Sequence, residues 1–136
     1  MGLKERRALK AFQDEHFAAQ KKRIDDAAGF EVDLDMDWDS LVDPTYLHMI
    51  NETWPKVYFD PTVAALEAVG VDAMGKEALQ EGLKKVVFKN ASDCSTAGRC
   101  ATFSDGVLTV DHKPFTNVDY VKDRAKAIQD VLEDGL

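Results

Sequence analysis

Five acidic residues alternate with apolar ones in Glu31-Val-Asp-Leu-Asp-Met-Asp-Trp-Asp39. In an extended strand successive side chains point to opposite faces, so Glu31, Asp33, Asp35, Asp37 and Asp39 share one side and Val32, Leu34, Met36 and Trp38 the other. Neighbouring carboxylates would then stand about 6.6 Å apart. At that spacing each pair repels by about 0.6 kcal/mol in bulk water, and Asp is a poor strand former. Three chemistries suit such a row. Charge can protect an edge strand from aggregation, or be neutralised by lysines from a neighbouring strand or from the first helix. Asp33-x-Asp35-x-Asp37 also opens like a calcium-binding EF-hand loop, but Trp38 stands where that loop needs Gly, and Pro44 where it needs Glu. The third chemistry is recognition: the charge steers a basic protein in, and Trp38 or Trp54 anchors it. This sets the functional expectation, a non-enzymatic binding or regulatory module whose Asp33, Asp35, Asp37, Asp39 and Trp38 receive a basic protein partner.

Other residues could support catalysis. Cys94-Ser-Thr-Ala-Gly-Arg-Cys100 places Arg99 five positions after Cys94, one short of the spacing of a phosphatase-like loop. The two cysteines form neither a CxxC pair nor half of a zinc site with a second pair. Asp111-His112 closes an apolar run and would serve acid–base chemistry if folding brought it to Cys94 or Cys100. That is the alternative reading: a small enzyme, or a small-molecule-binding protein with a pocket between sheet and helices, lined by Tyr46, Trp54, Tyr58 and Phe59. Gly70-Val-Asp-Ala-Met-Gly75-Lys76 has the spacing of a phosphate-binding loop, but Glu77 follows the lysine where Ser or Thr is required. Glycines ending one helix and beginning another account for it better. His16 falls on the apolar face of its segment, as a packed histidine does. No dinucleotide turn or nucleophile elbow appears, and no cofactor is expected.

Charge narrows the partners further. The 136 residues carry 17 Lys and Arg against 25 Asp and Glu, a net charge of −8. Nucleic acid binding needs the opposite balance. The excess is local: residues 1–28 hold seven basic and five acidic side chains, residues 31–81 hold two against twelve, and residues 84–136 hold eight of each. No apolar run reaches the roughly 18 residues of a membrane span. The opening MGLKERRALK lacks the apolar stretch of a secretory signal, and Arg6 stands where a myristoylation signal wants Ser or Thr. A soluble, cytoplasmic protein without membrane contact is expected, and with it reduced thiols at Cys94 and Cys100.

The elements that must position these residues follow from periodicity. Leu9, Phe12, His16, Ala19 and Ala27 mark one face of a long amphipathic helix that ends near Gly29, with Phe17 and Ile24 at its flanks. This helix could pair with its equivalent in a homodimer, although Arg23 interrupts the stripe. The strand from Glu31 to Asp39 follows. Asp43-Pro44-Thr45 and Asp60-Pro61-Thr62 read as two helix starts, with Pro55 stopping the first helix and Gly70 the second. A further helix covers residues 73–83. Val86-Val87-Phe88 is a strand, and Asp105-Gly106 joins two more in a type I′ hairpin. Thr116 or Asn117 caps the last helix, whose apolar positions are Val118, Val121, Ala125, Ile128 and Leu132. The predicted fold is one α+β domain over residues 1–136, a small, mainly antiparallel sheet of about four strands packed against helices, with long helices at both ends.

Overall fold

The computed structural model describes all residues, Met1–Leu136. The chain opens with one rod, α1 (residues 3–28), in which α-helical turns over Leu3–Phe12 and Ala18–Ala28 are joined by a π turn at Gln13–Phe17. It ends where expected, at Gly29, whose φ of 88° suits a residue without Cβ and whose N–H donates to Asp25 O. Phe12, Ile24 and Ala28 are its buried residues. The Asp25 carboxylate accepts from Lys21 Nζ at 2.6 Å and from Val32 N–H at 2.8 Å, which fixes the chain as it turns into the first strand.

That strand, β1 (Leu34–Met36), is shorter than the acidic alternation predicts. The chain leaves it at Asp37, and Trp38 opens a four-residue helix, α2 (Trp38–Leu41). Two interactions account for the early exit. Ser40 donates both its N–H and its Oγ to Asp37 O, at 3.1 and 2.7 Å, which closes a turn. The Trp38 ring packs edge-on to Phe17 and Phe12, with centroids at 5.1 and 6.1 Å, and lies 5.9 Å from Trp54. Burying indole area outweighs two more residues of ladder.

Asp43 caps as predicted, accepting from Thr45 N–H at 2.9 Å, but the next turn, Pro44–Met49, is a 3-10 helix. Ile50–Trp54, a π turn at Pro55–Phe59, and Asp60–Val69 then run without a break as α3 (residues 50–69). The expected stop at Pro55 and restart at Asp60 do not occur. Within the π turn the Asp60 N–H reaches back to Pro55 O, and Thr62 Oγ1 donates to Tyr58 O at 2.7 Å. The widened turn thereby accommodates Pro61, which has no N–H of its own. Helix α4 (Ala73–Gly82) is capped by Asp72, which accepts from Gly75 N–H at 2.8 Å. A Cβ at Gly75 would sit 1.7 Å from Val69 O, so this glycine lets the start of α4 pack closely against the end of α3.

Strands β2 (Lys85–Lys89), β3 (Ala101–Ser104) and β4 (Val107–Asp111) complete the sheet. The β3–β4 hairpin turns as predicted, with φ of 54° at Asp105 and 79° at Gly106. The last helix, α5 (Val121–Gly135), begins later than its expected cap. Asn117 takes a left-handed φ of 50°, and the buried Arg124 guanidinium donates to Asn117 O and Val118 O at 2.7 and 2.6 Å, which holds that segment in a turn.

The α+β class and the four strands agree with the prediction, but the sheet is not mainly antiparallel. Its order is β1-β2-β4-β3, with β1 parallel to β2, β2 parallel to β4, and only the hairpin antiparallel. The reason lies in the connections. Residues 37–84 form a helical crossover between β1 and β2, and β4 returns from the hairpin to lie between β2 and β3. Met36, Val86, Phe88, Leu108 and Val110 point into a core of 23 buried apolar residues shared with the helices. The other face, which carries Asp35, Lys85, Val87, Lys89, Thr102 and Thr109, has no buried residue. No helix is long and apolar enough to cross a membrane.

Candidate binding surface

The sheet's bare face and its β1 edge carry most of the acidic row. Glu31, Asp33, Asp35, Asp37 and Asp39 are all exposed, whereas Val32 and Met36 are buried. The structure keeps Asp33, Asp35 and Asp37 together, because Val86 N–H donates to Asp33 O and Asp37 N–H to Phe88 O, extending the ladder beyond both ends of β1. It sends the other two predicted site residues elsewhere. The turn of α2 carries Asp39 to a shallow depression that it lines with Met1 and with Glu5 of α1. Trp38 is partly buried, its ring packed against the aromatic cluster described above, whereas Trp54 is fully buried in the same cluster.

Lysines do stand beside the row, on β2. Lys85 Nζ approaches Asp35 at 3.6 Å, with both side chains substantially exposed. Lys89 makes no ion pair, and neither Asp33 nor Asp37 has a cation within 4 Å. One solvent-screened contact thus offsets three carboxylates. No three acidic, histidine or cysteine side chains gather into a group able to hold a metal ion.

The residues of the enzyme alternative are arranged differently from its expectation. Cys94 and Cys100 are not free thiols: they form a disulfide, with Cα atoms 5.8 Å apart. The end of β4 brings them together, since Asp111 N–H donates to Cys100 O and Lys113 N–H to Cys94 O, each at 2.8 Å. His112 is fully buried, and its Nδ1 lies 2.6 Å from Lys113 O. Burial lowers its pKa, and the Arg124 charge adds to that; the Lys113 carbonyl and Asp111 oppose it. Tyr58, whose hydroxyl donates to His112 O at 2.5 Å, is pushed well above its ordinary range, chiefly by burial. Desolvation also lowers the Arg124 pKa. These groups tie α3, β4 and α5 together inside the protein, and neither sulfur is available to His112 as a nucleophile.

Between sheet and helices there is packed core; Tyr58 and Phe59 are part of it, at 5.5 and 5.2 Å from the Phe88 ring. The largest cavity, about 610 Å³, lies instead beyond the carboxyl ends of β1, β2 and β4. Parallel sheets place their ligands at this end, where successive strands feed their loops into one crevice. Ser40 follows β1, Asn90 and Asp93 follow β2, and Lys113 and Phe115 follow β4; Asp43 and Tyr46 complete the lining. The Tyr46 and Phe115 rings stack at 5.1 Å and 25°. Of these residues the sequence pointed to Tyr46 as a pocket residue and to Asp43 only as a helix cap. Their gathering into one crevice becomes visible only once β1, β2 and β4 are known to be parallel, because they follow three strands far apart in the chain.

No family model, curated protein or solved structure matches this chain.

Proposed function

We propose that this protein is a non-enzymatic binding module whose acidic strand edge receives a basic segment of a protein partner. The supporting observation is the state of Asp33, Asp35 and Asp37: exposed along an edge strand, on a sheet face without helices, with a single lysine contact among them. Carboxylates spaced about two strand residues apart match the side chains of an extended basic segment or of one face of a helix. The surrounding charge supports the reading, since residues 31–81 carry ten more acidic than basic groups and would speed encounter with a cationic surface.

A lysine- and arginine-rich peptide titrated against the full chain tests it. Binding is expected at about 50 mM salt and should fade by about 500 mM as the screening length contracts. The double variant Asp35→Lys with Asp37→Lys should abolish binding while circular dichroism stays unchanged. Equal affinity for a peptide of inverted charge, or indifference to the double variant, would overturn the reading. A second reading, a small-molecule-binding protein or small enzyme, is favoured by the crevice at the strand ends. Its mark would be a ligand that binds equally well to the double variant.

A further inference from the structure

Building on the acidic-edge reading, we infer that the crevice beyond β1, β2 and β4 holds an arginine side chain of the basic partner, and that it selects arginine over lysine. The edge and the crevice are physically joined. Ser40, which lines the crevice, donates Oγ to the backbone oxygen of Asp37 at the end of the row and accepts at 3.0 Å from the N–H of Asn90, its neighbour in the crevice lining. A segment lying along Asp33, Asp35 and Asp37 therefore arrives at the mouth of the cavity.

The lining matches a guanidinium. Tyr46 and Phe115 offer an aromatic surface against which a planar, weakly hydrated cation stacks, whereas an ammonium gains less from such a surface. Asp43 and Asp93 supply carboxylates that are positioned but not saturated. Asp43 Oδ1 accepts from Thr45 N–H and Asp93 Oδ1 from Asn90 Nδ2 at 3.2 Å, while the second oxygen of each has no partner in the molecule. Asp93 is held in a left-handed backbone conformation, φ 54°, and its N–H donates to Asn90 Oδ1 at 3.1 Å, so that residue pair fixes where the carboxylate stands. Hydrogen bonds from a guanidinium fork to such oxygens are directional in a way that a lysine contact is not.

Lys113 gives the inference a sign. It is the only cation lining the crevice and it makes no ion pair. It disfavours a bound guanidinium, so Lys113→Ala should tighten binding of an arginine ligand; for an anionic small molecule the same change would weaken it. The test uses the full chain with its disulfide intact and two peptides of equal charge, one with arginine and one with lysine at every basic position. Wild type should prefer the arginine peptide by about fivefold. Tyr46→Ala and the near-isosteric Asp93→Asn should each remove that preference while salt-sensitive binding to both peptides persists. Acetyl-arginine amide, used alone in an NMR titration, should shift the Tyr46 and Phe115 resonances.

Equal affinity of wild type for the two peptides, a preference untouched by Tyr46→Ala, or weaker arginine binding in Lys113→Ala would overturn the inference. If salt-sensitive binding remains in those cases, the acidic edge stands without the crevice. Failure of both peptides to bind, with ring shifts from acetyl-arginine amide intact, would instead remove the edge and leave an arginine-selective pocket.

Discussion

Because the Lys113 carbonyl can only accept, the His112 nitrogen beside it, Nδ1, carries the proton, and Nε2 is left bare, buried and without a partner. Protonating Nε2 would create a buried N–H in a charged ring with nothing to receive it, next to Arg124, which is why the His112 pKa lies below 6.5. The unfolded chain binds this proton more readily than the folded one, so stability is complete above about pH 6.5 and falls as pH drops below it. Wild type should lose more of its urea midpoint between about pH 7.5 and about pH 5.5 than His112→Asn does; a steeper fall in the variant would contradict the assignment. None of this was legible in the sequence. Asp111-His112 suggested acid–base chemistry because residue type is visible there and burial is not. The cysteines misled in the same way, since redox state was inferred from compartment whereas it is the end of β4 that sets the two sulfurs side by side.

Elements whose causes are local read correctly, and the hairpin is the clearest case. Asp105-Gly106 needs positive φ at both residues, and the turn is also wedged against the start of β2, with Gly106 O accepting from both Lys84 and Lys85 N–H. A Cβ at Gly106 would lie 2.5 Å from Lys84 Cγ and 3.0 Å from Gly82 O. Gly106→Ala should therefore cost about 1–3 kcal/mol in equilibrium unfolding, and a cost near zero would show that the strands impose the turn. The cross-link is a second element-scale device: it closes a loop between residues six apart in sequence. Reducing it, or replacing both cysteines by Ser, should lower stability by about 2 kcal/mol in the loop-entropy account, read as the shift of the urea midpoint with reductant. Thiol titration of the native protein should meanwhile find no reactive sulfur. What failed at this scale depended on distant partners. Pro55 reads as a helix stop because a π turn has no simple sequence mark. The strand was cut short by Trp38, whose aromatic neighbours lie in α1 and α3. Parallel pairing was hidden because a helical crossover of three unequal pieces does not look like a repeated βαβ unit.

At the scale of the molecule, charge and architecture are arranged on one plan: helices cover one face of the sheet, and the acidic row lies at the edge of the uncovered face. The row's alternation was legible because burial of Val32 and Met36 forces the intervening acids outward whatever the sheet's polarity. The crevice was not, since it exists only where three parallel strands end together. A surface kept for a partner should be suboptimal for the protein alone, and this gives the last prediction. Asp33→Thr with Asp37→Thr removes like-charge repulsion at the two ends of β1 without touching the core. At low salt the double variant should be more stable than wild type by about 0.5–1 kcal/mol, a gain that shrinks as salt screens the row, and the same change should weaken capture of a basic peptide. A loss of stability would mean that the two carboxylates hold this edge of the sheet together. In that event their exposure would reflect folding alone, and the acidic edge would no longer point to a partner.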